Sequence, residues 1–273
     1  MHALQAVIIR WDASLAATRE QFERVLAEAW NATAPMVADT RLDLVPLTRV
    51  WGAVERQLHL HTSRVSDAWS ATSDALSAID GLPVELTWRE GSKRDATNRE
   101  LALRHDQYYR TMMAQAAEHM RRFALLQDAA EHACSGCGHA LARRSAVAQA
   151  QHVTCSGCGT TTMIEPGDAW RIFAASGARC LAEAAALEAY AQMIRTELRV
   201  DQHRDRKTVP LAELVEYEAA ARAYWTLVFE AEAAYVPEQA VYVGAKIERH
   251  MHDVRHKLSQ YSQWRGAATA ARR

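Results

Sequence analysis

Apolar residues recur every three to four positions over about residues 12–30, at Leu15, Phe22, Val25, Leu26, Ala29 and Trp30. That spacing gathers them on one face of a helix. A second stripe begins after Pro46, a residue suited to a first helical turn. It runs through Leu47, Val50, Trp51, Val54, Leu58, His61, Val65, Trp69, Thr72, Leu76 and Ile79, and Gly81 with Pro83 ends it. A third tract, about 94–133, sets Leu101, Tyr108, Met112, Phe123 and Leu126 on its inner side. The fourth starts near Asp168, placed as an N-cap after Pro166 and Gly167, and carries Ile172, Phe173, Cys180, Leu187, Ile194 and Leu198. Beyond the charged break at 204–207 a fifth opens at Pro210, with Leu211, Leu214, Val215, Trp225, Val228, Phe229 and Tyr235. Pro237 kinks it or starts a sixth, whose inner positions are Val243, Ile247, Met251, Val254, Leu258 and Tyr261.

Two short segments depart from the helical period. Residues 4–11 are rich in β-branched side chains, and Val84, Leu86 and Trp88 alternate with polar neighbours as strand residues do. They are expected to pair as a minor two-stranded ribbon. The third and fourth tracts, roughly 40 and 36 residues, would be about 60 and 54 Å long at about 1.5 Å per residue. Their matched lengths suggest an antiparallel helical hairpin.

Composition sharpens this picture only in places. A chain of 273 residues is one large domain or two small ones. Thirty-two basic and 33 acidic residues give a net charge of −1, so nothing pulls the whole chain toward nucleic acid or an anionic membrane. Only four bases are lysines, against 28 arginines and 53 alanines, so a lone arginine is not read as a phosphate contact. Hydrophobic residues at 49% exclude wholesale disorder. The first apolar run, residues 6–9, is too short for a membrane span or a signal-peptide core, and a cytoplasmic location is expected.

The informative chemistry lies between the third and fourth tracts, where five of the eleven glycines crowd together. The word Cys-Ser-Gly-Cys-Gly occurs at 134–138 and again at 155–159. Each Cys-x-x-Cys turn can aim two thiolates at one ion, and two such turns complete a tetrahedral shell. The spacing is one that reads as zinc. Residues 133–164 resemble a Cys₄ zinc ribbon, with Cys134, Cys137, Cys155 and Cys158 as ligands of one structural Zn²⁺. That resemblance covers about an eighth of the chain and implies two knuckles on short β-hairpins. Iron is the rival ion, since rubredoxin-like sites use similar knuckles. No aromatic residue between Gly138 and Thr154 shields a redox centre, which favours zinc. His132, His139 and His152 flank a shell that four cysteines already close.

The architecture expected is mainly α: an elongated helical bundle from residues 1–132 and 165–273, with the ribbon of 133–164 inserted at the tip of the hairpin. Other constellations carry less. Glu248, His252 and His256 share a helical face, but one turned away from Ile247, Met251 and Val254, so a solvated face is expected. Cys180 falls on an apolar stripe as a small core residue. The di-iron bundle of rubrerythrin-like proteins needs Glu-x-x-His, and the chain has none. Nucleotide-binding and hydrolase motifs are also missing. No catalytic or organic-cofactor residues are assigned. The function expected is a non-catalytic adaptor or assembly component that docks a protein partner through the ribbon or a helical surface. The alternative is a nucleic-acid-binding protein using Arg121, Arg122, Arg143 and Arg144 around the ribbon, and an enzyme without a recognisable motif comes third. Against the alternative, Arg143 and Arg144 add +2 to an insert free of acids, but zinc with four thiolates adds −2.

Overall fold

The long tracts without breakers are helices, as their alanine, glutamate, arginine and leucine content favours. The computed structural model of the chain describes residues 2–128, 132–141, 148–202 and 209–270. Its elements in order are α1 (His2–Ala38), α2 (Val45–Ser77), α3 (Val84–Asp128), β1 (Gln151–Thr154), β2 (Thr161–Ile164), α4 (Asp168–Ile172), α5 (Ala178–Ala185), α6 (Leu187–Gln202), α7 (Leu211–Tyr235) and α8 (Val243–Ala270). Among the described residues the chain is mostly helical, with one small antiparallel sheet of β1 and β2. It forms two compact units, one of Met1–Asp39 and Asp43–Met112, the other of Thr40–Leu42 and Met113–Arg273. Among the described residues, no helix is long and apolar enough to cross a membrane.

In the first unit α1 buries Trp11, Leu15, Thr18, Phe22, Leu26, Ala29, Thr33 and Val37, a continuous stripe. α2 answers with Leu47, Trp51, Leu58, His61, Val65 and Leu76 and packs antiparallel, setting Trp11 against Trp69 and Phe22 against His61. The first part of α3 lies parallel to α1, each bond between them joining residues 78 to 82 apart. These include Trp11 Nε1 to the Glu90 carbonyl, Arg19 to Thr97 and Glu100, and Arg104 to Glu23. The Glu90 side chain is fully buried and ion-paired with Arg89 (3.1 Å) and Lys93 (2.6 Å), which keeps the charge compensated.

The ribbon expected from residues 4–11 and 84–88 is not there: both segments are helical. Trp11 belongs to the same stripe as Leu15 and Phe22, and burying that stripe outweighs the weak β preference of Val7, Ile8 and Ile9. In α3, Val84 and Trp88 are exposed, so their alternation marks no buried face. Leu126, expected inside, is 77% exposed; the buried side of α3 there is Met113, Ala116, Ala117, Met120 and Ala124. Ile172 and Leu211 are exposed as well, while Phe173 and Leu214 beside them are buried. Gly167, not Asp168, is the N-cap of α4, and Asp168 instead pairs with Arg171. The side chain of Tyr261 lies outside the described residues.

The fourth tract is not one helix. α4 passes through a π-helical turn, Phe173–Gly177, into α5, and the backbone of Ala186 breaks from helical geometry before α6. The turn is shaped by Phe173, whose fully buried ring lies over Gly177. A Cβ at Gly177 would sit 2.6 Å from the ring carbon Cδ2. Gly177→Ala is therefore expected to destabilise the protein by about 1–3 kcal/mol through overpacking. Gly244→Ala in α8, with nothing within 4 Å of the new methyl, is expected to be neutral or mildly stabilising. Thermal unfolding of the two variants side by side checks this.

In the second unit α7 is central. It turns Leu214, Tyr217, Ala221, Tyr224, Val228 and Phe229 inward. α5 and α6 pack against it, burying Ala178, Ala182 and Ala191, and the Tyr190 ring of α6 lies 5.4 Å from that of Tyr224. α8 lies against its other side, where His250 stacks on Trp225 with ring centres 3.9 Å apart. Pro237 opens a 3₁₀ turn, Pro237–Tyr242, between α7 and α8.

Candidate metal centre

The repeated word folds twice in the same way. Cys134 N–H donates to the carbonyl of His139 (2.8 Å), and Cys155 N–H to that of Thr160 (2.9 Å). Gly138 N–H closes the first turn onto the Cys134 carbonyl (2.8 Å), and Gly159 N–H the second onto Cys155 (2.9 Å). Both turns need a left-handed residue at their fifth position, and Gly138 (φ 74°) and Gly159 (φ 75°) supply it without a Cβ penalty. The glycines at the third position have another task. Gly136 N–H donates to the Cys134 sulfur and Gly157 N–H to the Cys155 sulfur, each at 3.4 Å. Each also makes room for the opposite knuckle. A Cβ at Gly136 would lie 3.2 Å from the Thr160 hydroxyl, and one at Gly157 3.4 Å from the His139 ring.

Each knuckle sits on a hairpin. The first is closed by a bridge between Ala133 and Ala140, the second by β1 and β2, paired Gln151 to Ile164 through Thr154 to Thr161. Cys134 and Cys155 are buried with Leu141 and Ile164, against which Val153 packs, while Cys137 and Cys158 are exposed. This small cluster gives the ribbon a core of its own.

The four sulfurs lie within 4.8 Å of one another, with Cys134 to Cys158 and Cys137 to Cys155 both at 3.6 Å. Sulfurs about 2.3 Å from a tetrahedral ion stand about 3.8 Å apart, so the cluster fits such a shell. Among the described residues it is the only group of three or more potential ligands brought together. His132, His139 and His152 are outside it. The thiols are not equivalent. The Thr160 hydroxyl and backbone N–H, with neighbouring thiols, pull Cys158 down to about 6. At Cys137 the His139 N–H lowers the value, but hydrogen bonding with the other three thiols outweighs it and pushes the thiol up to about 12. A metal held by these sulfurs would displace protons on binding, and its affinity would fall as the medium is acidified.

Of the arginines expected near the ribbon, Arg121 and Arg122 are both bound by Glu118, and Arg121 also lies over the Tyr235 ring. Arg143 and Arg144 lie outside the described residues. Glu248 pairs with Arg222 and Arg255, and His252 is exposed beside Asp253. That face of α8 is a solvated, ion-paired surface, as its register implied. Cys180 is half-buried, its thiol donating to the Ser176 carbonyl. Sequence reasoning missed Glu238. From the turn between α7 and α8 its carboxylate accepts the Ala148 N–H at 2.7 Å, linking the stretch between the knuckles to the helices. No local pattern marks a carboxylate that works across 90 residues.

No protein-family model matches the chain, no curated protein matches its sequence, and no solved structure matches it.

Proposed function

We propose that the four cysteines hold one structural zinc ion. On this reading residues 133–164 form a ribbon inserted into a discontinuous helical scaffold of 1–132 and 165–273, and the chain is a non-catalytic adaptor that docks a protein partner through the ribbon. The observation that carries the reading is the all-thiolate set. Four cysteine sulfurs fill a tetrahedron and leave no open position for substrate or water, which is the mark of a structural and not a catalytic zinc site. The ion's part is to tie two hairpins that share only a few buried apolar side chains. The residues of the chain do the rest: glycine N–H groups steady the sulfurs, and Glu238 secures the connecting segment.

Docking through the ribbon is supported by Met163, an apolar side chain 56% exposed on β2. A photo-crosslinking residue at Met163, in the full chain inside its own cells, is expected to capture one discrete protein. The capture should disappear when Cys134→Ser removes the metal. Binding to duplex DNA provides the opposing measurement. A micromolar, salt-sensitive complex, lost when Arg121, Arg122, Arg143 and Arg144 are reversed in charge, would replace the adaptor reading with a nucleic-acid one.

A further inference from the structure

We propose that Cys137 is the reactive ligand of the metal centre, the thiolate at which soft electrophiles and peroxides modify this protein first. The proposal rests on the zinc reading above and concerns a difference between two nearly identical knuckles. Their first cysteines are shielded, Cys134 being 3% and Cys155 2% exposed, and each accepts a glycine N–H. The second cysteines, Cys137 and Cys158, both face solvent. What separates them is the residue that follows each word, His139 in one and Thr160 in the other.

These two residues occupy equivalent places, each reaching across to the glycine of the opposite knuckle. Both offer a backbone N–H to the preceding sulfur. Only Thr160 adds a side chain: its hydroxyl lies 3.3 Å from the Cys158 sulfur and donates to it once that sulfur is a thiolate. The His139 ring packs over Gly157 instead, so among the described residues no side-chain N–H or O–H donates to Cys137. A hydrogen bond to a thiolate draws off the electron pair that makes it a nucleophile, and it must weaken as the sulfur attacks. Cys137 combines exposure with the smaller number of such bonds.

With a maleimide, the Cys137 sulfur forms a bond to one alkene carbon. The displaced π pair moves to the other carbon, which takes a proton from water. The neutral thioether left behind is a poor ligand, and the metal is released. With hydrogen peroxide, the sulfur takes one oxygen, the O–O bond breaks, and hydroxide leaves a sulfenic acid. The Cys155 thiolate, 3.6 Å away, then displaces a second hydroxide to form a Cys137–Cys155 disulfide. Two sulfurs are oxidised and one peroxide is reduced.

The test uses the full-length, zinc-loaded protein and limiting N-ethylmaleimide, with zinc release followed by a chromogenic chelator and each modified cysteine located by peptide fragmentation. Cys137 is expected to react about tenfold faster than Cys158, with zinc release tracking its modification. His139→Thr, which copies the second knuckle, should slow Cys137 toward the rate of Cys158. Thr160→Val, which removes only the hydroxyl function, should raise Cys158 toward the rate of Cys137. Stoichiometric zinc with Cys158 reacting first, or with neither substitution moving its partner rate, would overturn the proposal and leave the zinc reading standing. Protein without zinc, all four cysteines reacting as ordinary thiols, would overturn both.

Discussion

Replacing Cys134 by serine will abolish stoichiometric metal binding yet leave far-UV circular dichroism strongly helical. Cys134 is a buried member of the ribbon's own cluster, so the substitution removes a ligand and disturbs Leu141 and Ile164 together. Sites of this kind are held folded by about 10 kcal/mol or more of metal-binding free energy, and the hairpins have little else. The helices do have something else. α1 buries Trp11 and Phe22, α2 buries Leu47 and Trp51, and α7 buries Tyr224 and Phe229, none of them a member of the ribbon's own cluster. Tryptic cleavage between residues 138 and 154, where Arg143 and Arg144 provide the sites, should rise by about tenfold or more as local opening becomes easy. Loss of helical signal together with the metal would show that the ribbon is part of the core of its unit.

Trp11→Ala will cost about 3–5 kcal/mol in urea unfolding, the largest effect expected from a single truncation in the first unit. The indole is 1% exposed, lies 5.6 Å from the ring of Trp69, and donates its N–H to the Glu90 carbonyl at 3.3 Å. Its loss opens a cavity and takes one hydrogen bond from that carbonyl. Trp88→Ala, at a position 68% exposed on α3, should change stability by no more than about 0.5 kcal/mol. The contrast separates two tryptophans that a paired β-ribbon would have placed in similar surroundings. Equal costs at both would contradict the helical arrangement.

These two tryptophans also show where the sequence was legible. Residues 4–11 look strand-like when read alone, because eight residues are too few to tell one period from another. The helical period emerges only when Trp11 is followed on to Leu15, Phe22 and Leu26. Alanine was the other obstacle. Fifty-three alanines read as compositional background, yet Ala116, Ala117, Ala124, Ala178, Ala182 and Ala191 are the fully buried contact surfaces of α3, α5 and α6. Small side chains let helices approach closely, so these faces carry no large apolar residue to announce them. Leu126 was placed inside for the opposite reason: it is large and apolar, on a helix whose buried side had passed to alanine and methionine. The cluster of Cys134, Cys137, Cys155 and Cys158 was legible in the sequence because converging thiols demand fixed spacing and a left-handed fifth position, and both are written in Cys-Ser-Gly-Cys-Gly. What the repeat could not reveal was the crossing of His139 and Thr160 onto each other's glycines, which depends on how two hairpins meet.

Elemental analysis of the purified, full-length protein, expressed with adequate zinc and iron and never exposed to chelator, tests the central claim most directly. One equivalent of zinc per chain with negligible iron, falling to none in Cys134→Ser, is the predicted result. A red, iron-replete protein would contradict the choice of ion, and a metal-free protein that keeps residues 132–164 protected from protease would contradict the metal centre itself.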